Sequence, residues 1–103
     1  MKLAILRVGQ VNSNVIHDIG KQLSEIFPKT ACVILDDEMP TPEDAYNSRR
    51  KQFHSSRILA KIHQHAENVV VDRVLGITDV DLYVSHLNFV FGEAECPGKT
   101  AII

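Results

Sequence analysis

The sequence predicts an α/β fold, with parallel strands first and an antiparallel return last, and three observations carry that prediction. Near-continuous apolar runs at Leu3–Val8, Thr30–Leu35 and Arg73–Thr78 have the character of strands covered on both faces. Segments of helical apolar spacing lie between them, so the order is β-α-β-α-β, and right-handed crossovers make these three strands parallel. From Leu87 the pattern changes to period two, with Leu87, Phe89 and Phe91 on one face and Asn88, Val90 and Gly92 on the other.

The first strand, 3–8, is interrupted only by Arg7 and ends at Gly9-Gln10. Asn12 or Ser13 then supplies an N-cap. Val15, Ile16, Ile19, Leu23, Ile26 and Phe27 follow at helical intervals until Pro28, which predicts a helix over 13–27. Gly20 inside it costs about 1 kcal/mol against Ala and marks close packing on the sheet. β-Branched and apolar residues make 30–35 the second strand. Asp36–Pro40 reads as an acidic loop, and Thr41-Pro42-Glu43-Asp44 as the start of a short helix. Ser55, Ile58, Leu59, Ile62 and Ala66 predict a main helix over 49–66, closed by Glu67-Asn68. Val69–Asp72 leads into a third strand at 73–78, which leaves the core at Asp79 and Asp81. A strand over 87–94 runs antiparallel to its neighbour, Cys96–Lys99 is turn chemistry, and 100–103 is a last strand.

With 103 residues and 45% hydrophobic content, residues 1–103 are expected to form a single domain. The net charge of −2 with scattered basic residues leaves no electrostatic footprint for nucleic acid. No apolar run approaches the roughly 20 residues that span a membrane, and Arg7 cuts the N-terminal run too short for a signal-peptide core. Cys32 and Cys96 fall in different predicted elements, which fits reduced thiols in the cytoplasm.

Two stretches carry a family likeness. Val74-Leu75-Gly76-Ile77-Thr78-Asp79-Val80-Asp81-Leu82-Tyr83-Val84, followed by Leu87-Asn88-Phe89-Val90-Phe91-Gly92-Glu93-Ala94-Glu95, resembles the archaemetzincin family of zinc metallopeptidases. Tyr46 and Arg49-Arg50-Lys51-Gln52-Phe53-His54-Ser55 resemble a second family segment, although Ser85-His86 stands where the family tends to have Pro-Gly. The resemblance covers the family's N-terminal half. It implies the upper subdomain of a metzincin-like fold: a mixed five-stranded sheet in which only the strand matching Leu87–Ala94 is antiparallel and at the edge. It also implies zinc in the intact family member, held on a helix reading His-Glu-x-x-His-x-x-Gly-x-x-His, where imidazoles one turn apart share a face and the Glu serves as base. That run is absent from this sequence. The chain also ends in Thr100-Ala101-Ile102-Ile103 with no cap or following helix, so it is expected to be truncated before the zinc-binding helix, to bind no zinc through these residues alone, and to be inactive by itself.

Asn88, Phe89, Val90 and Phe91 are the candidate substrate-binding residues, because an edge strand offers backbone donors and acceptors on which a peptide can be laid. Substrate lies along this edge in metzincins by the same resemblance. Alternation places Phe89 on the buried face, so Phe89 and Phe91 are read as packing residues. Asp79 and Asp81, two apart, suit a hard cation or an acid–base pair if extended; shaping a local turn is the favoured reading. His63 and His65 on a helix diverge by about 200°, which excludes a shared metal, and helical spacing pairs His63 with Glu67 instead. His54 is read as a hydrogen-bonded or packing residue. Arg49-Arg50-Lys51, at a helix start where the macrodipole disfavours cations, is expected to pair with Asp36–Glu38 or to take an anion or substrate carboxylate. Cys32 is read as a buried, inert thiol and Cys96 as an exposed one.

Two functions follow. One is the N-terminal part of a zinc-dependent peptidase, supplying the substrate edge strand, with a peptide as partner in the intact enzyme. The other is a stand-alone, non-catalytic α/β module that binds a peptide or a subunit. Either leaves an apolar face and an edge bare, so a homo-oligomer or a missing C-terminal part is an expected partner.

Overall fold

A computed structural model of the chain describes residues 1–95 and 98–103. Alternation along strand β1, Lys2–Val8, sorts the interior into two layers. Ala4, Leu6 and Val8 pack on one face with Ile58, Leu59, Ile62 and Ala66 of helix α2, Ser55–Ala66. Ile5 packs on the other face with Ile16 of helix α1, Ser13–Ile26. The two helices therefore cover opposite faces of one sheet, which is why β1 reads as continuously apolar. Asn12 is the α1 N-cap, its Oδ1 accepting from the Asn14 N–H at 2.8 Å.

Strands β2, Ala31–Met39, and β3, Tyr46–Asn47, precede β4, Gln52–His54, with a single 3₁₀ turn at Glu43–Ala45 between the first two. After α2 come β5, Arg73–Thr78; β6, Leu82–Val84; β7, Leu87–Val90; β8, Glu93–Ala94; and β9, Thr100–Ile102. One sheet has the order β2-β1-β5-β9-β8. Its first four members are parallel and β8 is antiparallel to β9. The second sheet, β3-β4-β6-β7, is mixed: β4 and β6 are parallel, while β3–β4 and β6–β7 are antiparallel. Gly76 in β5 lets α2 sit close, since a Cβ there would collide with Ile62 Cδ1 and lie 3.3 Å from Val8 Cγ2. No helix among the described residues is long and apolar enough to cross a membrane.

Four sequence expectations change. The single strand over 87–94 is two strands in two sheets: Leu87–Val90 belongs to the second sheet and only Glu93–Ala94 edges the first. The chain changes sheets at Phe91-Gly92, where a Cβ on Gly92 would stand 2.5 Å from the Ile102 carbonyl oxygen. The helix predicted from 49 begins at Ser55. Residues 46–54 instead form a hairpin, because Asn47 Oδ1 captures the N–H groups of Arg49 (3.0 Å) and Arg50 (3.2 Å) and Lys51 takes a left-handed φ of 55°. The acidic loop is the second half of β2, held to β1 through Arg7↔Glu38 and Val8↔Met39 after a register shift; on an outer strand its carboxylates can stay in water. Cys32 is only partly buried, for the same reason of edge position, and Cys96 lies outside the described residues.

Candidate functional site

β7 is the outermost strand of the second sheet, paired on one side with β6 and with no described strand on the other. Its register with β6, Leu82↔Val90 and Val84↔Leu87, sets three residue steps on β7 against two on β6. That is a β-bulge, and it leaves β7 carbonyls to find partners outside the ladder. Arg50 and Gln52, in and after the β3–β4 turn, supply them. Arg50 Nη2 donates to the carbonyls of Leu87 (2.5 Å) and Asn88 (3.4 Å). Gln52 Nε2 donates to Asn88 O at 2.7 Å and to Asp81 Oδ2 at 3.2 Å, while its Oε1 accepts from Arg50 Nε at 3.2 Å. The strand is thus braced from its inner side by buried or half-buried groups.

The side chains of this strand reverse the expected faces. Val90 packs against the main core, whereas Leu87, Phe89 and Phe91 are 52%, 53% and 87% exposed. The two phenylalanine rings meet edge to face at 5.3 Å, out in solvent. Both alternating sets contain apolar residues, so periodicity names two faces without naming the inner one. The reading of Phe89 and Phe91 as packing residues is therefore corrected.

Behind β7 stands Tyr83 on β6, 8% exposed. Arg50 lies over its ring with Cζ 3.9 Å from the centroid, and His54 meets it edge on at 5.1 Å. The expectation that the 49–51 cations pair with Asp36–Glu38 fails, because Arg50 turns inward to β7 and Tyr83. No Lys or Arg ion pair within 4.0 Å occurs among the described residues. Sequence spacing gave no sign of the Arg50–Gln52–Tyr83 arrangement, which brings together residues over thirty positions apart.

Asp81 serves as an acceptor for Gln52, and its carbonyl takes the Phe53 N–H at 2.8 Å, while Asp79 is exposed in the bend after β5. On α2, His63 Nε2 stands 3.7 Å from Glu67 Oε1, the expected helical pairing, and Nδ1 stands 3.0 Å from Glu95 Oε1. Glu95 also accepts from the Thr100 hydroxyl, and chiefly that bond holds its carboxyl below the usual range; burial pushes the other way, and His63 adds to the lowering. Glu93 accepts from the hydroxyls of Ser55 and Ser56, so two carboxylates pin β8 and its neighbour to α2. His54 and His65 join no ligand set. Among the described residues no three His, Cys, Asp or Glu side chains are placed to hold a metal ion, so the donors present do not fit zinc.

The class these observations define is a two-sheet α/β domain with a bulged, braced and apolar sheet edge. Known proteins share both its sequence and its shape. No family model matches the chain. Archaemetzincin from Methanocaldococcus jannaschii is 43% identical over 103 residues, all of this chain and 53% of that protein. Archaemetzincin from Methanopyrus kandleri is 44% identical over 62 residues, 60% of this chain and 34% of that one. The crystal structure of the Archaeoglobus fulgidus archaemetzincin superposes with a TM-score of 0.81 at 31% identity, covering 100% of this chain and 60% of that one. A zinc-dependent peptidase from Methanocorpusculum labreanum shares the fold at a TM-score of 0.81 and 18% identity, over 98% of this chain and 62% of that one. These matches support an archaemetzincin N-terminal fragment, and the chain spans about half the length of the curated relatives it matches.

Proposed function

We propose that the chain is the N-terminal part of an archaemetzincin-like, zinc-dependent peptidase, the upper subdomain of a metzincin-like fold, and that β7 receives the substrate as an added strand. The observation that carries this reading is the unpaired outer edge of β7 in a chain that is archaemetzincin-like along its whole length. The Asn88 carbonyl is turned inward to Gln52 and Arg50, so alternation turns the Phe89 N–H and C=O outward, where an extended peptide pairs with them. Phe89 and Phe91 then become contact residues, offering apolar surface to alternate substrate side chains. Leu87 extends that surface toward the β6–β7 turn.

In this reading zinc, its bound water and the general base come from residues outside this chain, and residues 1–103 work as part of a larger zincin-like domain in the cytoplasm. The contribution of these residues is positional. A rigid edge holds the substrate backbone in one register, and orientation of this kind lowers the entropic part of the barrier.

Metal analysis and a peptide-cleavage assay test it, run on residues 1–103 and on a chimera in which they replace the matching half of the Methanocaldococcus jannaschii relative. The chimera is expected to carry zinc and cleave peptide, and residues 1–103 to do neither. Phe89→Pro in the chimera removes the outward donor and is expected to raise KM by roughly tenfold with zinc content unchanged. Sub-micromolar zinc binding by residues 1–103 alone, or a KM indifferent to the proline, would count against the reading.

A further inference from the structure

A second site is built beside Tyr83. A polar cleft of about 580 Å³ lies between the 3₁₀ turn and β3, the start of α2, and the β6–β7 turn. Its chemistry comes from Arg49, Arg57, Ser48, Ser85, the Tyr83 hydroxyl and Asp44. Two guanidinium groups against one carboxylate leave a single net positive charge, in a chain whose own net charge is −2. Arg57 donates only a long 3.4 Å bond, to the Asp44 carbonyl, and Arg49 has no side-chain partner among the described residues.

The decisive group is Tyr83. Asn47 Oδ1 accepts from the Arg49 and Arg50 N–H groups, which fixes the orientation of the Asn47 amide and directs its Nδ2 at Tyr83 Oη, 3.2 Å away. An amide nitrogen only donates, so the tyrosine oxygen is the acceptor there. Its own proton is given to no acceptor among the described residues, although the side chain is more than nine-tenths buried. A hydroxyl proton at the wall of a cleft, with no protein acceptor among the described residues, is free to be given to a ligand that enters. His54, on the same wall, adds a buried Nδ1 with no partner among the described residues. Arg49 of the hairpin, Arg57 of α2 and the Tyr83 hydroxyl of β6, which Asn47 orients, thereby surround one space.

We infer that this cleft binds a carboxylate monoanion, which accepts from the Tyr83 hydroxyl and is held by the guanidinium groups of Arg49 and Arg57. The net charge of the cleft balances one negative charge, and the planar guanidinium fork matches a carboxylate in two bonds. The site is separate from the β7 edge: no β7 residue lines it, and it does not depend on the peptidase reading.

NMR titration of the ¹⁵N-labelled 103-residue chain with sodium acetate, N-acetylglycine and inorganic phosphate, at constant ionic strength, is the test. Saturable shifts are expected for both carboxylates, centred on Ser48, Arg49, Arg57 and Ser85, with phosphate weaker. Tyr83→Phe removes one proton donor but keeps the ring under Arg50 and beside His54, and is expected to weaken N-acetylglycine binding about tenfold. Arg49→Gln with Arg57→Gln, at exposed positions, is expected to abolish saturation, whereas Arg73→Gln on the far strand leaves it unchanged. Non-saturating shifts spread over all basic residues, binding unmoved by Tyr83→Phe or by the double variant, or phosphate binding tighter than either carboxylate would each overturn the inference.

Discussion

Phe89 and Val90 are chain neighbours in opposite surroundings, and the contrast shows what a single residue can and cannot announce. Val90 packs against the main core and pairs with Leu82, so Val90→Ala removes two partly buried methyl groups and is expected to cost about 1–2 kcal/mol. Phe89 is already half in water and touches chiefly Phe91, so Phe89→Ala is expected to shift stability by less than about 1 kcal/mol. Urea melts of the two variants check this, and a larger loss for Phe89→Ala than for Val90→Ala would reverse the assignment of faces. Roles set by local chemistry were legible from sequence: a cap at Asn12 or Ser13, which the structure places at Asn12, and Glu67 one turn from His63 as its partner. Roles set by tertiary approach were not. Arg50 stood in a basic triplet that promised an acidic partner, and its partners are backbone carbonyls and a tyrosine face.

At the scale of elements, the parallel strands and both helices follow from patterns that packing enforces, since a strand covered on both faces must be apolar throughout. The hairpin at 46–54 was hidden because Ser55, Ile58, Leu59 and Ile62 give a strong helical period, and nothing in a period says where its first turn begins. The deciding residue is Asn47, whose side chain offers the backbone a turn in place of a helix. The second sheet was hidden for a related reason: β3, β4 and β6 have two or three residues, too few to establish a period of two, and the period read from Leu87 runs on past the end of β7 at Val90. One strand glycine tests how tightly the layers meet. Gly76→Ala places a methyl group against Ile62 Cδ1, and in a close-packed interior this is expected to destabilise by about 1–3 kcal/mol, despite the better strand and chain-entropy character of Ala. Thermal or denaturant melts that show Gly76→Ala unchanged or stabilised would mean that α2 has room to move off the sheet.

For the whole molecule, the two sheets divide the labour. The larger sheet, with a helix on each face, holds the core. The smaller one, set beside it through β4, β6 and the Phe91-Gly92 crossing, ends in an edge that no described strand covers. That edge carries Leu87, Phe89 and Phe91, and none of its three large side chains is charged. Natural sheets usually blunt such edges with lysine, proline or a covering loop, because unpaired backbone beside apolar side chains recruits a second strand. The bulge in β7 twists the strand and weakens this tendency, yet the outward-facing groups at Phe89 stay available. The 103-residue chain in isolation is therefore expected to associate reversibly with itself through β7, with an average mass in light scattering that rises with protein concentration. Phe89→Lys together with Phe91→Lys puts two like charges on the facing edges of any such pair, and is expected to return the chain to a monomer with an unchanged circular-dichroism spectrum. Association that survives both lysines would assign the contact to another surface. A wild-type chain that stays monomeric across the whole concentration range would mean that the bulge alone is enough to protect the edge.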